Sequence, residues 1–301
     1  MNVLLIGGTR FQGRYLVNEL LNTGHTVTVF HRGGHTIGPR CGLVDLIGDR
    51  NVPADLAQLA GYQFDACIDT CAYFPIQVSL VSDVLNTRHY CLISSVYVYA
   101  DRDALLREDD PLHHIPGGPG PGLTPDNYGA LKALCEEEAV VRFGNGSLIL
   151  RPSVIIGVGD HTERLQFWMR LVAVHRKRLD IAGWDPVVQL VDVRDLAHFT
   201  TRCIETARQG TVNVCGEPVR LSVLLDSIAA ISGHTCERKS VHIEDLPKLG
   251  LERLPYCESG HLARHDTALS RTWGYVGRDW RDSLTEIHHH FQCQGFAMQN
   301  L

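Results

Sequence analysis

Tyr128 and Lys132 stand four residues apart in Tyr128-Gly129-Ala130-Leu131-Lys132. On a helix this spacing puts both side chains on one face. An ammonium beside a phenol favours the phenolate and lowers the tyrosine pKa toward neutrality. Such a tyrosine can exchange a proton with a substrate hydroxyl or carbonyl. Ser95 ends the apolar run His89-Tyr90-Cys91-Leu92-Ile93 and is placed to hold the substrate oxygen. Tyr-x-x-x-Lys alone occurs by chance in many helices, so its weight depends on what surrounds it.

A second constellation lies at the N-terminus. Asn2-Val3-Leu4-Leu5-Ile6 is an apolar run, followed by Gly7-Gly8-Thr9-Arg10-Phe11-Gln12-Gly13. Phe11, Tyr15, Leu16, Leu20 and Leu21 then repeat with helical spacing, and Thr26-Val27-Thr28-Val29-Phe30 reads as a second strand. Strand, glycine turn, helix, strand is the unit that lays a dinucleotide pyrophosphate on a helix N-terminus. Gly7 lets the chain turn off the strand, and Gly13 lets the helix pack close to the sheet. Gly7, Thr9, Arg10, Phe11, Gln12 and Gly13 are therefore expected cofactor contacts.

Arg10 replaces the middle glycine of the turn. The second strand ends in His31-Arg32, where a carboxylate would bond the ribose of NAD. Basic groups suit a 2′-phosphate. Arg10, His31 and Arg32 thus predict NADP, with NAD as the alternative. Asp49, in Gly48-Asp49-Arg50 after a third strand at Leu43-Val44-Asp45-Leu46-Ile47, is placed either to accept from the adenine amino group or to hold a turn; Arg50 adjoins it.

The rhythm continues with helices over 52–59 and 75–85 and strands over 65–69 and 89–93. A helix beginning near Thr124-Pro125-Asp126 runs to about Arg142, and a strand covers 147–150. This alternation predicts an α/β fold, a doubly wound parallel (Rossmann) sheet with its ligand crevice at the strands' carboxyl ends. Residues 1–155 form the expected dinucleotide-binding domain, with 187–215 returning to it; residues 156–186 and 216–301 form a smaller C-terminal substrate lobe. Between 100 and 125, charged residues and then Pro116-Gly117-Gly118-Pro119-Gly120-Pro121-Gly122 break the pattern, as a lid or a surface loop.

The chain has 301 residues, 44% of them hydrophobic, enough for a sizeable core. Its 28 basic and 34 acidic residues give a net charge of −6, which offers no bulk electrostatic attraction for nucleic acid. No apolar run approaches the roughly 20 residues of a membrane span, and no signal peptide is evident, so a cytoplasmic protein is expected. The ten cysteines are scattered without a C-x-x-C pair, and His288-His289-His290 and His113-His114 lack ligand spacing; no metal site is expected.

Glycine turn, Ser94-Ser95 and Tyr128/Lys132 together resemble the short-chain dehydrogenase/reductase superfamily, in its extended NAD(P)-dependent epimerase/dehydratase branch. The resemblance spans nearly the whole chain. It extends through Leu92-Ile93-Ser94-Ser95-Val96-Tyr97-Val98-Tyr99, the segment Leu150–Asp160, the junction Leu190–Leu196 and the strand Thr211–Gly216. It implies that Ser95, Tyr128 and Lys132 are catalytic, with Ser94 as the neighbour that could be mistaken for Ser95. It further implies that Tyr128 and Lys132 contact the nicotinamide ribose, that Pro152 lies under the nicotinamide, and that helices around 75–86 and 126–143 make a homodimer. The Gly-Gly-Thr-Arg-Phe-x-Gly turn resembles an atypical subgroup that includes reductase-like bacterial proteins and chloroplast RNA-binding proteins. Val154 occupies the position at which many sugar epimerases carry an asparagine.

In the lobe, Arg164 is a candidate for holding an anionic substrate and Trp168 for stacking on a ring; Gln189 and Arg194 are further candidates against a structural role. The expected function is an NADP(H)-dependent oxidoreductase interconverting carbonyl and alcohol on a sugar-like or other small polyoxygenated substrate. The alternatives are a nucleotide-sugar epimerase or dehydratase with tightly bound NAD(P), and a non-redox dinucleotide-binding or RNA-associated protein. The acidic charge speaks against RNA.

Overall fold

A computed structural model describes residues 1–100, 105–116, 118, 120, 122–249, 251, 254–257 and 264–294. The chain runs β1 (Asn2–Ile6), α1 (Phe11–Asn22), β2 (Thr26–His31), β3 (Leu43–Ile47), α2 (Pro53–Leu56), β4 (Ala66–Asp69), α3 (Pro75–Val84), β5 (Tyr90–Ile93), β6 (Leu105–Leu106), α4 (Tyr128–Phe143), β7 (Ser147–Pro152) and β8 (Val154–Ile156). It continues through α5 (Arg164–Met169), β9 (Lys177–Ile181), β10 (Val187–Asp192), α6 (Val193–Glu205), β11 (Gly210–Val214), β12 (Pro218–Arg220), α7 (Leu221–Ser232), β13 (Glu237–Val241), β14 (Arg264–His265), α8 (Ala268–Thr272) and α9 (Trp280–Gln294).

Seven strands form one parallel sheet in the order β3-β2-β1-β4-β5-β7-β11. The chain winds outward from β1 to β3, then returns to the other side of β1 at β4. The loops after β1 and β4 therefore leave in opposite directions and open a crevice between them. The continuous apolar run of β1 follows from burial on both faces. Val3 and Leu5 pack with Leu16, Val17 and Leu20 of α1 and Leu196 and Phe199 of α6. Leu4 and Ile6 face the other way, onto Leu56, Val78, Val81, Cys135 and Ala139. Each such side chain contributes about 1.5–3 kcal/mol by burial.

A second core gathers Trp168, Met169, Leu224, Leu225, Ile228, Trp280, Leu284 and Ile287. Above it β10 pairs with β8 and β12. The return to the main sheet therefore begins with α6 at Val193 and β11, not at residue 187: β10 belongs to the second sheet. Helix α4 also starts later than its polar lead-in suggests. Thr124 and Asn127 bond each other's backbone N–H, closing a turn that makes Tyr128 the first helical residue. Within the 100–125 segment, residues 101–104, 117, 119 and 121 lie outside the described residues. The rest is tied down in part: β6 pairs with β14, and His113 N–H donates to Val98 O. Among the described residues no helix is long and apolar enough to cross a membrane.

Helix α1 touches the turn that precedes it. A Cβ on Gly13 would lie 2.4 Å from Gly8 Cα and 2.7 Å from Gly8 N. Neither backbone can move without displacing β1 or α1. Gly13→Ala should cost about 1–3 kcal/mol of stability by overpacking, read by urea denaturation; unchanged stability would mean that α1 does not pack this closely.

Candidate active site

The carboxyl ends of β1, β4, β5 and β7 bring the site together. β1 ends at Ile6, just before Gly7, and α1 begins after Arg10 with no side-chain cap and no acid in its first turn. Its N-terminal dipole is thus left for an external anion. The cradle is narrow: a Cβ on Gly7 would meet Thr70 Oγ1 at 2.3 Å. Gln12 Oε1 is buried without a partner beside it. These features fit a dinucleotide pyrophosphate. Thr9 is half-buried at the turn, and Arg10 is exposed. Phe11 is buried, with its ring edge-on to His161 (centroids 6.4 Å) and Tyr15 (6.4 Å).

Arg10 and Arg32 are exposed and make no ion pair among the described residues. His31 differs from its expected role. Its Nε2 is bonded to Asp45, and its Nδ1 accepts from Gly33 N–H at 3.0 Å. Both nitrogens are engaged at the β2–β3 edge, so the ring offers no donor to a phosphate. Asp49 Oδ1 accepts from the Asn51 backbone and side chain (2.9 and 2.7 Å), and among the described residues Oδ2 accepts no hydrogen bond.

Arg50 is likewise not available as a cofactor ligand. Its guanidinium is buried and forked onto Asp69 (2.6 and 2.7 Å), with a further bond to Gln77 O at 2.9 Å. Tyr90 Oη donates to the same carboxylate at 2.7 Å. Burial alone would push the Asp69 carboxyl up. The Arg50 charge and hydrogen bonds, with that of Tyr90, outweigh it and hold the pKa below the ordinary value. Gln77 Oε1 also accepts from Tyr73 N–H at 2.8 Å, which fixes Tyr73 above the crevice.

The two adjacent serines are separated by what they bond. Ser94 donates to buried Glu136, which Arg151 grips with Nε and Nη2 (2.7 Å for the shortest contact). Arg151 also donates to Tyr99 Oη at 2.8 Å, and Tyr99 donates to Asn213 Oδ1 at 2.7 Å. Burial pushes the Tyr99 phenol up to about 12, so it stays a donor. Ser95 faces the other way. Its Oγ accepts from Tyr97 N–H at 3.2 Å and interacts with the Tyr128 hydroxyl. Tyr128 stands between the rings of Tyr73 (6.4 Å) and Tyr97 (6.2 Å, edge-on).

Lys132 reaches the same region but not the expected partner. It is 2% exposed, and its Nζ donates to Ala72 O at 2.9 Å and Ile93 O at 2.7 Å, the backbone just past β4 and at the end of β5. These carbonyls hold the ammonium 5.9 Å from the Tyr73 ring centre. The cation that acts on Tyr128 is Arg164 instead. Burial raises the Tyr128 pKa; the Ser95 hydrogen bond and the Arg164 charge lower it by less, and the net shift is upward. The phenol is therefore neutral in the free protein. Pro152 ends β7 and is buried, paired with Val214 of β11.

The remaining lobe candidates are structural. Trp168 is fully buried, with its Nε1 donating to Pro255 O at 3.1 Å. Gln189 joins Gly216 O to the His265 backbone; Asp192 caps α6 by accepting from Arg194 N–H, and the Arg194 side chain pairs with Asp192 and Glu286. Val154 packs in the lobe core. Tyr73, Tyr97 and Tyr256 enter the site without having been singled out. Tyr97 lay in the quoted serine strand; Tyr256 has no local signal.

No protein-family model matches the chain, and no curated protein is similar to it in sequence. Its fold, by contrast, is shared over nearly full length with solved structures. MoeE5 in complex with UDP-glucose and NAD superposes with a TM-score of 0.73 at 17% identity, covering 98% of this chain and 99% of the other. UDP-glucose 4-epimerase from Thermotoga maritima, with UDP-glucose, gives 0.74 at 14% identity over 98% and 99%. The dTDP-glucose 4,6-dehydratase of Bacillus anthracis, in complex with NAD, gives 0.76 at 14% identity over 99% and 98%. The fold is that of the nucleotide-sugar epimerases and dehydratases.

Two substitutions test this geometry. A Cβ on Gly129 would lie 2.0 Å from Tyr97 O, so Gly129 is what lets the Ser95–Tyr97 turn rest on the start of α4. Gly129→Ala should separate Ser95 from Tyr128 and lower kcat by about 10²-fold or more, while fluorescence titration still finds normal dinucleotide binding. Asp69→Asn leaves Arg50 buried and unpaired, at a cost of about 3–5 kcal/mol at pH 7 in urea. Because the folded-state pKa is depressed, this stability is present above the ordinary 3.8 and is lost as pH falls through the folded value. The gap between variant and wild type should therefore narrow in acid.

Proposed function

We propose that this chain is an enzyme of the extended short-chain dehydrogenase/reductase branch, acting on a nucleotide sugar with a nicotinamide dinucleotide held through the catalytic cycle. The observation that carries this reading is the convergence of Ser95 and Tyr128 on the crevice whose other wall is the glycine turn. The full-length likeness to proteins solved with NAD and with UDP-glucose supports it. When bound, the dinucleotide supplies reversible acceptance and return of hydride.

The chain's own residues do the rest. Ser95 donates to the oxygen on the reacting carbon and orients it. Tyr128 gives its proton to that oxygen on reduction, and the phenolate this leaves takes a proton from the hydroxyl on oxidation. Lys132 pins the ends of β4 and β5 beneath the reacting groups. The uncapped start of α1 receives the pyrophosphate, and Asp49 Oδ2 is free to accept from the adenine amino group. Arg10 and Arg32 favour the 2′-phosphate of NADP over NAD.

The second reading is a carbonyl/alcohol oxidoreductase with net turnover of NADP(H). The unpaired Arg10 and Arg32 favour it, as does Val154 buried where sugar epimerases carry asparagine. The two part on stoichiometry. Protein that retains dinucleotide through purification and converts UDP-glucose or dTDP-glucose, followed by NMR, with no net change at 340 nm supports the first. Net NADPH oxidation on simple carbonyls supports the second. In either case Tyr128→Phe should lower turnover by about 10²–10⁴-fold with dinucleotide affinity unchanged; a near-normal rate would sink both.

A further inference from the structure

Arg164 opens α5 at the edge of the crevice, and its charge is unmatched. Its Nε donates to Thr162 Oγ1 at 3.3 Å, a neutral partner. Among the described residues it makes no ion pair. Neighbouring Glu163 turns to Arg170, and Asp160, the carboxylate whose field reaches it, is bonded to Thr162 N–H and Oγ1. Among the described residues its two terminal nitrogens have no acceptor. The groups that feel its charge are Tyr256, Tyr97 and Tyr128, together with Asp160.

Tyr256 approaches from far along the chain. Its backbone is in the left-handed region (φ 68°), and Trp168 fixes the preceding carbonyl, Pro255 O. It is 1% exposed, and among the described residues its hydroxyl has no hydrogen-bond partner. Backbone strain and an unpaired buried hydroxyl at one residue are both unfavourable, and they persist where a ligand completes the arrangement. A guanidinium fork with free terminal N–H groups beside an unpaired phenol is a receptor for a planar or tetrahedral oxyanion.

We propose that Arg164 and Tyr256 form an oxyanion subsite beside Tyr128, so that the substrate carries a carboxylate or phosphate close to the carbon whose hydroxyl Tyr128 serves. This rests on Tyr128 as the acid/base and narrows the substrate to an anionic one at the reacting end. A neutral sugar there would leave the guanidinium and the phenol unmatched. The anion would also offset the Arg164 charge felt by Tyr128.

The test uses the full chain saturated with NAD and titrated by tryptophan fluorescence with D-glucuronate, inorganic phosphate and D-glucose. At least one anion should bind about tenfold or more tighter than glucose, as a charge-assisted pair provides. Glucuronate over phosphate assigns a carboxylate, and the reverse a phosphate. Arg164→Gln should erase the preference, Arg164→Lys should keep part of it, and Tyr256→Phe should weaken anion binding several-fold, with the thermal midpoint unchanged in the arginine variants and no lower in Tyr256→Phe. Equal binding of anions and glucose by the wild type, or a preference that survives in Arg164→Gln, overturns the proposal. The reading of Tyr128 stands or falls separately, on Tyr128→Phe turnover.

Discussion

The buried pair between Arg151 and Glu136 is the contact on which the site's geometry rests. Arg151 leaves β7 and Glu136 lies on α4, one turn beyond Lys132. The pair therefore sets how the tyrosine-bearing helix lies on the sheet. Ser94 and Tyr99 complete its hydrogen bonds, and Asn213 carries the network to β11. Buried ion pairs add little net stability, because desolvation offsets the attraction. What this one supplies is register: few other placements of α4 satisfy both charges. Ser95 and Tyr128 meet as a consequence.

A second consequence concerns charge. The crevice has cations that serve different ends. Lys132 is absorbed by two carbonyls and Arg50 by Asp69, so both act as struts. Arg10, Arg32 and Arg164 make no ion pair among the described residues. The division follows from burial: a fully buried cation must find a partner within the fold, whereas one at the rim can wait for a ligand.

Much of this was legible in the sequence where the governing interactions are local. The apolar runs of β1, β2 and β5, the glycine turn and the Tyr128/Lys132 spacing each depend on residues near in sequence, and the parallel sheet follows from their alternation. Between Ser95 and its neighbour Ser94 the sequence offered no local discriminator. Nothing in the dipeptide says that Glu136 will claim one hydroxyl. The partners of the other candidates share that character. Asp45 occupies His31, Asp69 occupies Arg50, and the carbonyls of Ala72 and Ile93 occupy Lys132. Each partner is fixed by tertiary contact, which spacing does not encode. Trp168 read as a ring for stacking because aromatic residues serve cores and ligands alike.

Helix α1 has a further role through its outer residues. Tyr15 Oη donates to Val158 O at 3.1 Å, and the Phe11 ring meets His161, both in the segment leading from β8 into the lobe. One short helix therefore presents the proposed dinucleotide seat on one side and props up the entrance to the C-terminal lobe on the other. Cofactor preference and substrate preference are not independent variables in such a molecule. A substitution that reshapes the seat to suit another dinucleotide also tilts the prop, and the lobe must re-adjust before the exchange can succeed.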